Sequence, residues 1–337
     1  MGPLPTPYLH PDQGSAERVR PGAGERRFIA RTQAAGLGGQ LLRDEPLSRH
    51  CSYRLGGPVD LYVSVTKEED LIAWVRQAQT LGYPWRVLGG GTNILVADVG
   101  VRGLVIENRC RGHQLREEQT LSVSAGVSFA GLARRMARDG YQGLEWASGI
   151  PGTLGGAVVN NAGAYGGSVA DVLRRVRLLE VEGTIKGREA TAAELGFGYR
   201  TSLLKTRRAG VVLSAEFAVG RQDPKILSAR VERLDEHRRR TQPREPSAGS
   251  VFKNPPGDYA GRLIEAAGLK GERLGGAQIS ALHANYFINA HQATALEVAQ
   301  LIQRARDAVW QKFRARLDLE IELIGEWDES IRLALVN

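Results

Sequence analysis

Residues 150–167 read IPGTLGGAVVNNAGAYGG, a run with six glycines, three alanines and no charged side chain. Glycine loses more conformational freedom on folding than any other residue, so such a run resists order unless contact with something else offsets the entropy. Pro151 fixes one turn, while Gly155 and Gly156 leave the backbone open to a flat ligand. Alone, the run is equally compatible with a close-packed crossover. A second cluster, VLGGGTNILV at 87–96, changes the balance. Gly89, Gly90 and Gly91 follow a strand-like segment, so successive N–H groups can form an anion nest, with Thr92 and Asn93 adding side-chain donors. No GK[ST] and no GxGxxG is present, so this is neither a P-loop nor a Rossmann fingerprint. A diphosphate held between two backbone cradles is the better account of both clusters.

The surrounding pattern is mixed. VDLYVSV from residue 59 alternates like a half-buried strand. TKEEDLIAWVRQAQTLG reads as a helix capped by Thr66, with Leu71, Val75 and Ala78 on one face. Short strands follow over 103–127, then a helix capped by Ser128 and stopped at Gly140. VLRRVRLLEVEG and GVVLSAEFAVG read as strands, DPKILSARVERLDEHRRR and YAGRLIEAAGLKG as helices, and HANYFINA as a strand. A long helix over 294–316 sets Leu296, Val298, Leu301, Ile302, Ala305, Val309 and Phe313 at helical spacing, and LDLEIELIG then returns to strand. This is an α+β organisation rather than regular βαβ winding.

A chain of 337 residues, 42% apolar and 24% charged, is an ordinary globular one with room for two or three domains. No apolar run approaches a bilayer-spanning length and no secretory apolar segment opens the chain, so no membrane partner is expected. The first 26 residues, rich in Pro, Gly and polar groups, read as a disordered tail. Cys51 and Cys110 are too few for a disulfide framework and point to a reducing cytoplasm. The six histidines lack metal-ligand spacing, so no metal is expected. A net charge of +8 admits nucleic acid, but the basic run EHRRRTQPRE mixes acids with bases and has no interleaved aromatics. A small anionic ligand fits better, and no nucleic-acid partner is expected.

Five blocks now stand in order: VLGGGTNILV, SGIPGTLGGAVVNNAGAYGG, FGYRTSLLK, GSVFKNP and LEIELIG. Together they resemble the UDP-N-acetylenolpyruvoylglucosamine reductases, in the compact subclass without an inserted substrate-covering loop. The resemblance runs from SYRLGGPVDLYV at 52 to GEW at 327. It implies a two-subdomain FAD-binding fold of the vanillyl-alcohol-oxidase type, over 27–107 and 108–222, a substrate-binding α+β domain over 223–322, and a C-terminal segment over 323–337. It implies non-covalent FAD, NADPH as co-substrate and UDP-N-acetylglucosamine enolpyruvate as substrate, in a cytoplasmic, monomeric enzyme of peptidoglycan precursor synthesis. His50 and Cys51 directly precede the first matching segment, where a covalent tether would need such side chains. Another flavin-dependent oxidase or dehydrogenase of this fold is the alternative.

The resemblance also implies roles. Gly89, Gly90, Gly91, Thr92 and Asn93 would hold the pyrophosphate of FAD. Ser148, Gly149, Ile150, Pro151, Gly152, Gly155, Gly156, Asn161, Ala162, Gly163 and Ala164 would lie against the cofactor. Hydride delivered to the terminal carbon of an enolpyruvyl ether leaves charge on C2 and its carboxylate, which calls for a cation and then a proton. Arg200 matches the family's catalytic Arg, Glu320 the residue that shares a proton or hydrogen bond with the developing enolate, and Ser250 the proton donor to C2. Register alone selects Glu320 over Glu322, which would face the same side of a strand. Tyr165, Tyr199, Lys253 and Asn254 are the substrate contacts implied. Asn160 stands where many relatives carry an apolar residue.

Overall fold

Parallel strands organise the first part of the chain. In the computed structural model, which describes residues 22–116, 119–183, 185–208 and 210–336, a four-stranded sheet runs Leu41–Pro46, Pro58–Val65, Val101–Asn108, Trp85–Leu88. The first pair is antiparallel and the other two are parallel. The expected strand–helix–strand unit is present, with Val101–Asn108 inserted between its two strands. Leu61, Val63, Leu104 and Ile106 meet Leu71, Trp74, Val75 and Ala78 of the helix Glu68–Thr80 on one face. Val59, Tyr62, Val105 and Leu88 are buried on the other. Lys67, not Thr66, occupies the cap position and makes no side-chain cap bond; Glu68, Glu69 and Asp70 meet the positive end of the helix instead.

The tail expected over 1–26 lies outside the described residues up to 21. Its end departs from that expectation, because the helix Ala23–Ala34 begins inside it. Phe28 is the reason: it is buried against Trp74 and stacks on Tyr83 with ring centroids 4.3 Å apart.

A five-stranded antiparallel sheet follows in the order Lys186–Thr191, Leu173–Glu180, Gly210–Ala218, Thr120–Ser124, His113–Arg116. The helix Phe129–Arg138 packs on it, its first turn capped by Ser128 accepting from Gly131 N–H, with Gly140 left-handed just past its end. The glycine run is not an extended saddle throughout. Leu154–Val159 closes into a short helix because Leu154, Ala157 and Val158 share a buried face. Gly163–Ala164 and Gly167–Ser168 then form a two-stranded turn.

The last third gathers around the helix Ala295–Phe313, which buries Val298, Leu301, Ile302, Ala305 and Val309. Leu296 departs from the expected stripe and is exposed, since it sits in the first turn beside the core face. The strand Glu322–Ile324 pairs in parallel with Ile94–Val96 of the first part. A boundary at 322/323 falls within this strand, and Leu335 beyond it is buried in the third core, the one around the helix Ala295–Phe313. Asp98 accepts the backbone N–H groups of Ala295 and Leu296, at 2.8 and 2.9 Å. Among the described residues no helix is long and apolar enough to cross a membrane.

Candidate active site

The two glycine clusters meet face to face. A Cβ on Gly90 would lie 2.8 Å from the Gly152 Cα, and one on Gly152 would lie 2.6 Å from Thr92 Oγ1. Gly91, with φ +60°, passes so close to His50 that a Cβ there would stand 2.1 Å from its carbonyl oxygen. Side chains are excluded by backbone at Gly90 and Gly91 and by the Thr92 side chain at Gly152, so close packing requires glycine here. Among the described residues, the backbone N–H groups of Gly89, Gly90, Gly91, Thr92 and Asn93 have no partner. Five such donors in succession are what a phosphate-binding nest supplies.

The side chains expected to add to the nest serve elsewhere. Thr92 Oγ1 donates to the Pro151 carbonyl at 3.3 Å, tying the loops together. Asn93 Nδ2 donates to the carbonyl of Glu320 at 3.1 Å and to Asn160 Oδ1 at 3.4 Å. Gly155 packs on one face against Ala125: its N–H bonds the Ala125 carbonyl, and a Cβ would stand 3.1 Å from that of Ala125. Gly156 has only a Thr153 hydroxyl at 3.8 Å. Ile150 packs on the core between the five-stranded sheet and the helix Phe129–Arg138, and Ser148, fully buried, donates to Asp235 at 2.9 Å. Asn161 holds the Gly198 carbonyl and the Ala170 N–H. Ala162 bonds back to Ala157, and Gly163 with Ala164 forms one arm of the turn that presents Tyr165. Gly149 lies under Arg238 of the helix Pro224–Thr241, whose Leu234 carbonyl accepts the Tyr165 hydroxyl.

Arg200 and Glu320 form the centre. Arg200 is the third residue of a tight turn, Gly198 to Thr201, and takes φ +55°, a left-handed conformation that a long side chain rarely adopts. Its Nε lies 2.9 Å from Glu320 Oε1, with the side chains 24% and 17% exposed. That Nε makes no aligned hydrogen bond, so the guanidinium retains donors for another anion. Burial pushes the Glu320 carboxyl up, opposed by Arg200, Lys205 and Lys253. Burial likewise lowers the Lys205 ammonium, with Lys253 adding repulsion.

Glu320 and Glu322 do not share a strand face. The strand starts only at Glu322, which is bound by Arg86 at 2.8 Å and Arg208 at 3.0 Å. Glu320 instead lies in a bend whose N–H bonds the Val251 carbonyl at 2.8 Å. That bond places Ser250, the preceding residue, beside it. Ser250 bridges through its backbone to Tyr286, a buried tyrosine whose hydroxyl desolvation raises, with Arg238 lowering it and Glu320 and Tyr165 raising it. Ser250 and Asn254 also line a cavity of ≈ 360 Å³ with Tyr259, Arg262, Leu282 and His283. The N–H of Asn254 meets the Tyr199 hydroxyl at 3.5 Å, and its Oδ1 accepts from Ala260 at the start of a helix.

Against known proteins, residues 242–324 match the model of the UDP-N-acetylenolpyruvoylglucosamine reductase C-terminal domain, and 59–187 match an FAD-binding domain. The chain is 45% identical to the UDP-N-acetylenolpyruvoylglucosamine reductase of Chloroflexus aggregans, over 83% of this chain and 96% of that one. It is 44% identical to that of Moorella thermoacetica, over 86% and 95%. The chain belongs to the UDP-N-acetylenolpyruvoylglucosamine reductases. A crystal structure of the Thermus caldophilus reductase superposes with a TM-score of 0.72 at 35% identity, covering 85% of this chain and 99% of that one. The protein is an FAD-dependent oxidoreductase of peptidoglycan precursor synthesis, with NADPH as co-substrate, and its fold is the two-part FAD-binding architecture plus a C-terminal domain.

Several site groups escaped the sequence reading. Lys205 and Asn160 stood inside quoted blocks, but their contact spans 45 residues. Tyr286, Arg238 and His283 carried no motif, and only their place in the fold brings them to Ser250 and Tyr165.

Proposed function

We propose that Arg200, Glu320 and Ser250 carry the reduction of the enolpyruvyl double bond of UDP-N-acetylglucosamine enolpyruvate to give UDP-N-acetylmuramate. The observation that supports this most is the half-buried Arg200–Glu320 pair, set by Asn93 against the glycine nest and by Val251 against Ser250. The unpaired N–H groups of residues 89–93 would hold the FAD pyrophosphate, and the 148–164 segment would lie along the cofactor. When bound, FAD supplies the hydride taken up by the terminal carbon of the substrate.

The chain's own groups do the rest. Arg200 grips the substrate carboxylate through a fixed fork while charge grows on it. Glu320, whose carboxyl burial pushes up, shares a proton or hydrogen bond with the enolate. Ser250 donates the proton to C2, polarised by Tyr286. Lys253, Asn254, Tyr199 and Tyr165 contact the sugar nucleotide, whose remainder enters the cavity beside Ser250. Non-covalent FAD is supported by His50 and Cys51 being engaged elsewhere: both His50 ring nitrogens have partners at 3.0 Å, and Cys51 is buried with its thiol on the Leu55 carbonyl. One chain supplies both loops and all three groups, which supports a monomer of 36.6 kDa, and two buried free thiols accord with a cytoplasmic setting.

Ser250→Ala tests the assignment. NADPH should still bleach the flavin at the normal rate, while reoxidation by the enolpyruvyl substrate slows by roughly 10²–10⁴-fold. Normal reoxidation would remove Ser250 from the donor role.

A further inference from the structure

Arg200 persists in a left-handed turn, a conformation that survives only where its surroundings over-determine it. The Gly198–Thr201 backbone pair closes this turn, and Lys205, in the short helix Leu203–Arg207, adds a side-chain tie, its Nζ donating to the Arg200 carbonyl at 3.4 Å. The same ammonium donates to Asn160 Oδ1 at 2.8 Å. Asn160 is oriented for this: its Nδ2 donates to the Gly156 carbonyl at 3.0 Å, which turns Oδ1 toward Lys205. That one oxygen also accepts from Asn93 Nδ2, whose other bond is to the Glu320 carbonyl. A continuous chain of polar contacts therefore runs from the Arg200 backbone through Lys205, Asn160 and Asn93 to the Glu320 backbone.

We propose that Lys205 and Asn160 are positioning residues for the Arg200–Glu320 pair, fixing both backbones relative to the 89–93 loop through a single shared amide oxygen. This rests on the reading that Arg200 and Glu320 act on the substrate. It assigns work to a residue, Asn160, where an apolar side chain would leave the buried ammonium without its 2.8 Å acceptor. Lys205 has a second effect through its charge. The charged and titratable groups facing Glu320 are Arg200, Lys205, Lys253 and Tyr286. Removing the Lys205 charge leaves two of the three cations, so the Glu320 carboxyl moves further up.

The test separates the half-reactions of the FAD-loaded enzyme by stopped-flow absorbance, with UDP-N-acetylglucosamine enolpyruvate as oxidant, and adds thermal unfolding of the FAD-free protein. In Lys205→Met, NADPH should reduce the flavin at the normal rate, while reoxidation at saturating substrate slows about a hundredfold, as misplacement near the chemistry predicts. Its basic limb should also move to higher pH, because without the Lys205 charge Glu320 keeps the proton it shares with the enolate to higher pH. Lys205→Arg keeps the charge and should return the limb to its wild-type place. Asn160→Leu breaks the tie alone and should slow reoxidation with the limb unmoved and the unfolding temperature of the FAD-free protein preserved. Wild-type rates in both Lys205→Met and Asn160→Leu overturn the proposal, as does equal slowing of both half-reactions with a lowered unfolding temperature. A wild-type enzyme that the enolpyruvyl substrate fails to reoxidise overturns the parent reading instead.

Discussion

At the scale of single residues, Arg200 carries the most information. Its left-handed turn and its 2.9 Å approach to Glu320 put a planar fork, not merely a charge, at the site. Arg200→Lys keeps the charge and loses the two-bond grip, so turnover should fall by at least about a hundredfold while flavin reduction by NADPH stays intact; steady-state kinetics beside a reduction transient checks this. Arg200, Ser250 and Glu320 could be singled out from the sequence because each sits in a short block of distinctive neighbours, and the fold brings them together. The side chains of Thr92 and Asn93 read as phosphate donors in the sequence, which shows that a donor exists but not that Pro151, Glu320 and Asn160 offer it acceptors in the fold. Asn93 meets Glu320 across 227 residues of chain, a distance no local pattern encodes.

At the scale of elements, the two glycine loops depend on each other. Gly90→Ala would force a Cβ to 2.8 Å from the Gly152 backbone and part the loops. The variant should purify with little flavin while its circular dichroism stays that of the parent, a comparison made at equal protein concentration. The segment 280–289 beside Ser250 gives a pH prediction. His283 Nδ1 accepts from the Asn285 N–H at 3.2 Å, and burial lowers the imidazole from its ordinary value. A base lowered in the folded state binds fewer protons there than when unfolded. Its contribution is therefore present above about pH 6.5, the unfolded value, and is lost as pH falls below it. FAD-free His283→Gln should lose part of that acid-side slope in its unfolding temperature. The long helices were legible from their 3.6-residue stripe, whereas Leu154–Val159 was not, because glycines mask the spacing of Leu154, Ala157 and Val158.

At the scale of the whole molecule, the C-terminal third is stapled to the cofactor-binding part directly beside the nest. Ile94–Val96 leaves the GGGTN loop and pairs with Glu322–Ile324, and Asp98 then closes the first turn of Ala295–Phe313. Asp98→Ala should cost roughly 0.5–2 kcal/mol, the usual value of a lost helix cap, read as a drop in denaturant midpoint. The α+β class and the order of elements could be read from the sequence. The crossing of cores could not: Tyr53, Leu55 and Leu95 from the first part are buried in the third core. The consequence is that the 89–93 loop and the Arg200–Glu320 pair lie at one junction, joined by Asn93, rather than on two separate surfaces. The most direct measurement is anaerobic: bleach the bound flavin with one equivalent of NADPH, then add UDP-N-acetylglucosamine enolpyruvate. The band near about 450 nm should return with one equivalent of UDP-N-acetylmuramate formed; a flavin that stays bleached, or a protein that holds none, contradicts the account.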